Sequence, residues 1–230
     1  MSRDEQRSLL AGTEIFAGLT ERDLDGLAAI AVRRKYDAKA LVLEKGDAAL
    51  HLYVIAKGRL QALTTGPSGR QAALSIMGPG EVFGEVALFD GEARSASIRC
   101  LERCELLTIG KNDLYHFLER HPAAAINLLS VLARRLRRLS ERVEDTANLE
   151  LPARLAKQLT RLVERYGRHE ADGWVIALKL SQQELGELVG ASRESVNKQV
   201  RAWVADEVLG QRGGRIVVRD RDALLALADG

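Results

Sequence analysis

Three patterns of apolar and polar positions follow one another along the chain. Near the start, Leu24, Leu27, Ala28 and Ala31 recur at helical spacing behind Thr20, which can cap a helix together with Asp23 three residues on. Phe16 and Leu19 stand just ahead and are expected to pack back onto that helix. From Arg34 to about Ile109 the pattern changes to short apolar runs: 41–43, 50–55, 60–63, 72–76, 82–83, 97–98 and 106–109. Turn signals separate them at Lys45-Gly46-Asp47, Lys57-Gly58-Arg59, Thr65-Gly66-Pro67-Ser68-Gly69 and Gly78-Pro79-Gly80. Many short strands at this spacing predict a small antiparallel β-sandwich or barrel.

Helical periodicity returns from Asn112 to about Asn148, with Pro122 placed to open the main helix. Leu129, Leu132, Leu136, Leu139 and Val143 repeat at alternating three-and-four spacing, and arginines and glutamates fill the other faces. Such a narrow seam suits a twin helix, so a parallel homodimer is expected; the alternative is a single helix packed on its own domain. The seam fades over 146–151, and Pro152 fits the first turn of a new helix, which places a boundary and hinge there. The helix from Ala153 to Tyr166 turns Leu155, Leu159, Leu162 and Val163 to one face, and Gly167 ends it. The expected parts are thus 1–121, 122–148 and 149–230.

Leu180 to Val204 reads as two short helices around a tight turn. Ser181 with Glu184 makes a capping box, Leu185, Leu188 and Val189 form an apolar face, Gly190 makes the turn, and Ser192 caps the second helix. Gly186 is small where two helices cross. This is a helix-turn-helix. Val196, Val200 and Trp203 face its core, which leaves Arg193, Glu194, Asn197 and Lys198 outward at the end that enters a major groove. Arginine can take guanine O6 and N7 with two bonds, and glutamate can accept from cytosine N4. Ser181, Gln182 and Ser192 at the two helix starts complete the candidate base and backbone contacts. Beyond them, Val208-Leu209, a Gly-Gln-Arg-Gly-Gly-Arg tip and Ile216-Val217-Val218 form a β-hairpin, with Arg212 and Arg215 as phosphate contacts of a winged helix. A merely solvated charged face is the alternative, but it does not account for the capping box and the hairpin.

Charge supports this placement through its distribution and not its total. The net charge is only +2, yet Arg134, Arg135, Arg137, Arg138 and Arg142 cluster on the long helix, and Arg193, Lys198, Arg201, Arg212, Arg215 and Arg219 on the C-terminal part. A chain of 230 residues with 46% hydrophobic and 29% charged content can bury two modest cores, so a soluble globular protein is expected. No apolar run reaches ~18 residues and the N-terminus lacks a signal-peptide core, so neither a membrane span nor export is expected, and the cytoplasm is the expected site. Cys100 and Cys104 stand four apart without metal-ligand spacing, and they are read as thiols in a reducing compartment. His51, His116, His121 and His169 are scattered and no nucleophile sits beside a base. Catalysis, a metal site and a prosthetic group are therefore not expected.

One segment carries small-molecule chemistry. Val82 to Arg99 joins two apolar runs through glycine, a carboxylate, an arginine and serines. Gly84 lets a ligand approach the backbone, Glu85 can accept from sugar hydroxyls, and Arg94 offers a planar donor fork suited to phosphate. Ser95 and the backbone N–H groups around Ser95 and Ala96 can complete a phosphate cage, flanked on the other side by Phe83 and Val86. Taken alone, the same residues also fit an ion pair between Glu85 and Arg94 that staples a turn.

The order Phe-Gly-Glu-x-Ala-Leu, five residues, then Arg-Ser-Ala resembles the phosphate-binding cassette of cyclic-nucleotide-binding domains, as in the cyclic AMP receptor protein (Crp/Fnr) family. The resemblance spans about 10–222 and implies an α+β protein: an N-terminal jelly-roll-like β-roll, a long coiled-coil dimerisation helix and a C-terminal winged helix-turn-helix. It implies that Glu85 takes the ribose 2′-hydroxyl and Arg94 the cyclic phosphate, with Ser95 as a second phosphate contact. Aligned through Ala133-Arg134-Arg135-Leu136, it puts Arg135 within reach of Glu85, and Leu139-Ser140 where the family has Thr-Ser. Ser140 matches; Leu139 cannot hydrogen-bond, so cyclic GMP rivals cyclic AMP as the expected effector. Ser-Arg-Glu-Ser-Val resembles the family's recognition helix, which implies palindromic DNA with TGTGA-like half-sites, Lys198 standing in place of a second base-reading arginine. RNA polymerase is the further partner the resemblance implies. A constitutive member, or one that answers to a cyclic dinucleotide, remains the alternative, and a channel or kinase regulatory subunit would leave the winged helix without a role.

Overall fold

The computed structural model describes residues 2–66, 69 and 71–228. Pro67 and Ser68 of the expected Thr65–Gly69 turn lie outside the described residues.

The chain opens with α1 (Arg3–Ala11), a 3₁₀ turn at Glu14–Phe16 and α2 (Glu21–Ile30). Ser2 caps α1 in a box with Glu5, and Thr20 caps α2 in the box with Asp23 that the sequence foretells. Strands β1 (Val32–Tyr36), β2 (Leu41–Leu43), β3 (His51–Lys57), β4 (Leu60–Thr65), β5 (Gln71–Met77) and β6 (Val82–Phe83) follow. After the short helix α3 (Val86–Phe89) come β7 (Ser97–Cys100) and β8 (Cys104–Gly110). They form two four-stranded sheets, ordered β1-β8-β3-β6 and β2-β7-β4-β5, with antiparallel pairing in every described register.

Strand alternation divides the apolar side chains between two cores. Tyr53 and Ile55 of β3 join Leu60, Ala62, Phe83, Ile98, Cys100, Cys104 and Leu106 inside the roll. Leu52 and Val54, on the opposite face, meet Leu10, Phe16, Leu27 and residues of the following helices, α4 (Lys111–Arg120) and α5 (Pro122–Asn148). The roll is thus lined on one side of β3 and clad by helices on the other. Both cysteines are buried free thiols.

The long helix carries two apolar stripes. Ala124, Leu128 and Val131 are buried in the helical core, whereas Ile126, Leu129, Leu136, Leu139 and Val143 are exposed. Leu132 departs from the expected seam: it is half-buried against the same core as Val131. At 3.6 residues per turn, position 132 lies beside 128 and 131 as well as 129 and 136, and the protein's own core claims it. Leu129, Leu136 and Val143 remain 65%, 66% and 72% exposed, far more than a helix satisfied by its own domain would show.

The C-terminal part contains α6 (Leu151–Tyr166), β9 (Gly167–Glu170), β10 (Gly173–Ile176), α7 (Gln182–Val189), α8 (Arg193–Ala205), β11 (Leu209–Arg212), β12 (Arg215–Val218) and α9 (Arg221–Ala228). Its sheet runs β11-β12-β10-β9. Gly213 and Gly214 both hold positive φ, 57° and 77°, as a two-residue turn between β11 and β12 requires.

By contacts the chain forms two units. One takes the chain up to Thr64 and Leu74–Arg138; the other takes Thr65–Ala73 and everything from Leu139 onward. The division cuts α5 between Arg138 and Leu139 and not at its C-terminal end. The expected hinge around 146–151 is in fact braced. Buried Asp145 pairs with Lys157 at 2.5 Å and Arg161 at 3.1 Å, so the last turns of α5 are tied to α6.

Candidate ligand site and nucleic-acid interface

In the first unit, β6 delivers the candidate cassette. Tyr53 pairs with Phe83 across β3 and β6, and their rings stack at 4.8 Å with 6° between planes. Immediately after, Gly84 takes φ +83°; a Cβ there would meet Arg94 Nη1 at 2.9 Å and the His51 carbonyl oxygen at 3.2 Å. A side chain is excluded because the guanidinium occupies that space.

Arg94 is only 4% exposed. Its backbone is fixed by the Lys45-Gly46-Asp47 turn: Arg94 N–H donates to the Asp47 carbonyl and Gly46 N–H to the Arg94 carbonyl, each at 2.9 Å. Its Nη1 donates to the Gly84 carbonyl at 2.6 Å and its Nη2 to the His51 carbonyl at 2.8 Å, while Nε has no partner. Burial lowers the guanidinium's proton affinity, opposed by Tyr53, Glu85 and Asp47. Among the described residues its hydrogen-bond acceptors are two neutral carbonyls and no carboxylate, so the buried charge has no direct ionic partner.

Glu85, 3% exposed, begins α3. Its Oε1 accepts from Arg135 Nη1 of α5 at 2.5 Å, and Arg135 Nη2 donates to the Val82 carbonyl, while Oε2 has no partner. Glu85 and Arg94 are not ion-paired with each other among the described residues, so the turn-staple alternative drops out. The first unit thus brings Phe83, Gly84, Glu85, Arg94 and Arg135 together. Val86 and Ser95 are exposed and Ala96 half-buried. Leu139 and Ser140 are exposed on the part of α5 that belongs to the second unit.

In the second unit, Ser181 accepts from Glu184 N–H and the Glu184 carboxylate accepts from Ser181 N–H, which completes the capping box of α7. Gly190 ends α7 in the left-handed region at φ 69°, and Ser192 accepts from Ser195 N–H to start α8. Gly186 is small for a different reason than helix crossing: a Cβ there would meet the Ala191 carbonyl oxygen of the turn at 2.7 Å. Val196, Val200 and Trp203 are buried, Arg193, Glu194 and Lys198 exposed, and Asn197 half-buried. The first turn of α8 therefore presents charged groups to solvent.

The wing departs from expectation. Arg212 is held by Asp172 at 3.1 Å and by Glu170, both from the β9–β10 hairpin, and Arg215 donates from Nε to the Ala177 carbonyl at 3.3 Å. Arg212 is thus engaged in exposed ion pairs, whereas Arg215 bonds through Nε alone. Other residues close to these sites carry no motif in the sequence: Tyr53 and the His51 carbonyl around Arg94, and Arg154, which donates to the Leu149 and Val189 carbonyls beside the helix-turn-helix. Tyr53 alone had a signal, an aromatic at an inward strand position.

Comparison with known proteins fits both sites. Residues 33–121 match the cyclic nucleotide-binding domain, and residues 153–227 match the Crp-like helix-turn-helix domain. The CRP-like cAMP-activated global transcriptional regulator of Mycobacterium tuberculosis is 31% identical over 221 residues, which covers 94% of this chain and 96% of that protein. The chain belongs to the Crp/Fnr family of transcription regulators. The cyclic AMP receptor protein of Thermus thermophilus is also 31% identical, with 96% and 99% of the two chains covered. Among solved structures, the c-di-GMP-responsive global regulator CLP of Xanthomonas campestris matches with TM-score 0.77 and 26% identity over 86% of this chain and 99% of that one. The Crp/Fnr architecture of β-rich nucleotide-binding domain, long helix and helix-turn-helix domain is the architecture described above. No helix among the described residues is long and apolar enough to cross a membrane.

Proposed function

We propose that this Crp/Fnr regulator is a homodimer whose sequence-specific DNA binding is controlled by a cyclic nucleotide, cyclic AMP or cyclic GMP, held at Arg94 and Glu85. One observation carries the effector assignment: a buried guanidinium with an unpartnered Nε and a buried carboxylate with an unpartnered Oε2, in a cradle that only glycine at position 84 leaves open. Arg94 takes the phosphate, Glu85 a ribose hydroxyl, Ser95 and the Ala96 N–H further phosphate oxygens, and Phe83 and Val86 frame the cleft. Arg135 holds the Glu85 side chain in place. By the family resemblance Ser140 is the candidate for reading the base, and Leu139 beside it offers no hydrogen bond.

The exposed residues Leu129, Leu136, Leu139 and Val143 supply the dimer seam. The twin recognition helices then read half-sites about 34 Å apart with Arg193, Glu194, Asn197 and Lys198. TGTGA-like palindromes, contact with RNA polymerase and a cytoplasmic site of action complete the reading. The nucleotide acts only through its different affinity for the two arrangements of the dimer.

A cyclic dinucleotide is the second reading, favoured by the likeness to CLP. Calorimetry with cyclic AMP, cyclic GMP and cyclic di-GMP on wild type and Arg94→Ala decides between them. The proposal expects binding of a mononucleotide that Arg94→Ala abolishes. Binding that survives the substitution contradicts the site.

A further inference from the structure

The last two carbonyls of α7 belong to an element that aims the recognition helix, because only Gly190, Ala191 and Ser192 separate α7 from α8. Helix C-terminal carbonyls lack intrahelical donors and carry partial negative charge, so a cation that grips them fixes the helix end in place. Here two guanidiniums do so. Arg154 of α6 donates from Nε to the Val189 carbonyl at 3.2 Å, and Arg142 of α5 donates from Nη2 to the Leu188 carbonyl at 2.8 Å.

Arg142 makes the more consequential contact because it comes from the long helix itself. The same Nη2 also donates to the Ala73 carbonyl at 2.7 Å, and all these groups lie within the second unit. Burial, and then the Arg161 charge, lowers its proton affinity, while Asp145 opposes them. One turn further along α5, Asp145 binds Lys157 and Arg161 of α6, and Glu141 also faces Arg161 at 3.6 Å. The end of α5, α6 and the end of α7 are thus joined by charge-assisted bonds into one block.

We infer that Arg142 is a positioning residue for DNA reading: it transmits the direction of the long helix to the recognition helix through the Leu188 carbonyl, without touching DNA. The two N–H groups of a single Nη2 reach both carbonyls, and the rigid plane of the guanidinium fixes their directions, which an ammonium on a flexible stem does less well. This role rests on the DNA-binding reading above. It predicts a separation that a loss of folding does not produce. Sequence-specific binding needs the helix aimed, whereas phosphate-driven binding to any duplex depends mainly on net charge.

The test uses the full-length protein with cyclic AMP. Binding is measured by fluorescence anisotropy on a duplex recovered by the wild type from a random pool, and on an unselected duplex, together with thermal unfolding. Arg142→Gln is expected to weaken binding to the selected duplex about tenfold and to the unselected one less than about twofold, measured below an unfolding midpoint that falls only modestly. Arg142→Lys, which keeps the charge but not the rigid planar geometry, is expected to fall between and covers the case in which the glutamine variant folds poorly. Equal weakening on both duplexes, or unchanged selected binding in both variants, overturns the role. Failure of the wild type to recover any duplex overturns the DNA reading and this inference with it, and so stands apart from failure of the variants.

Discussion

Arg135 of the long helix donates to the Glu85 carboxylate at 2.5 Å, so the helix and the nucleotide cassette share a buried ion pair. Glu85 is almost wholly enclosed and Arg135 about a quarter exposed at its side chain, which makes the carboxylate the vulnerable partner. Arg135→Gln leaves a buried charge poorly compensated and is expected to destabilise the first unit by about 2–3 kcal/mol, less than for a fully enclosed pair. Arg135→Gln combined with Glu85→Gln should recover part of that loss. Urea unfolding followed by circular dichroism measures both; additive losses would show that the pair is not coupled.

Gly84 offers a sharper probe of the cassette. Gly84→Ala must accommodate φ +83° and a Cβ 2.9 Å from the Arg94 Nη1, so the guanidinium has to move. The expected outcome is a fold that persists, at a cost of about 1 kcal/mol, with nucleotide affinity reduced about tenfold or more. Calorimetry on the variant checks it, and unchanged affinity would mean that the ligand does not depend on Arg94.

The apolar stripe predicts the oligomeric state. Leu136→Glu places a charge at an exposed seam position, remote from the buried stripe of Ala124, Leu128 and Val131. It should yield a folded monomer by sedimentation, whereas the wild type is expected to sediment as a dimer. The equivalent change at Leu132 should harm the fold itself, because that residue packs on its own core.

In the DNA-binding unit, Arg193→Ala is expected to lose about 1–3 kcal/mol and to relax the preference at one guanine in a binding-site selection. Arg212→Ala should weaken all duplexes equally and only slightly, since Glu170 and Asp172 already engage that guanidinium. A loss at Arg212 as large as that at Arg193 would place the wing on the phosphates despite its ion pairs.

Much of this was readable from local chemistry. The boxes at Thr20–Asp23 and Ser181–Glu184, and the glycine turn at 213–214, depend on residues within a few positions of one another, so sequence shows them directly. The cassette was legible for the same reason, its glycine, glutamate and arginine lying within one turn region. What sequence hid was polar or distant. Strand β1, Val-Arg-Arg-Lys-Tyr, and strand β9, Gly-Arg-His-Glu, carry little apolar signal and are strands only because neighbours pair with them. Helix α1 is mostly polar, with Leu10 alone buried. The partners of Arg212 lie some forty residues earlier in β9 and the turn after it, and no spacing rule reaches that far. Leu132 was misplaced because two apolar stripes overlap on one helix.

Acid should weaken the roll through His51. Burial, together with the charges of Arg34 and Arg94, holds its imidazole below the ordinary value. A histidine depressed in the folded state binds its proton more readily when unfolded, so stability falls as pH drops below the unfolded value of about 6.5. Thermal unfolding at pH 7.5 and 5.5 should show a smaller loss in His51→Gln than in wild type, and equal losses would remove His51 from the account.

The proposed coupling is tested most directly by the affinity of the wild-type protein for its selected duplex, measured with and without cyclic nucleotide and repeated on Arg94→Ala. The account predicts binding that tightens about tenfold or more with nucleotide and a variant that no longer responds. An affinity identical in the presence and absence of every nucleotide tried, with the wild type dimeric and folded, would contradict it.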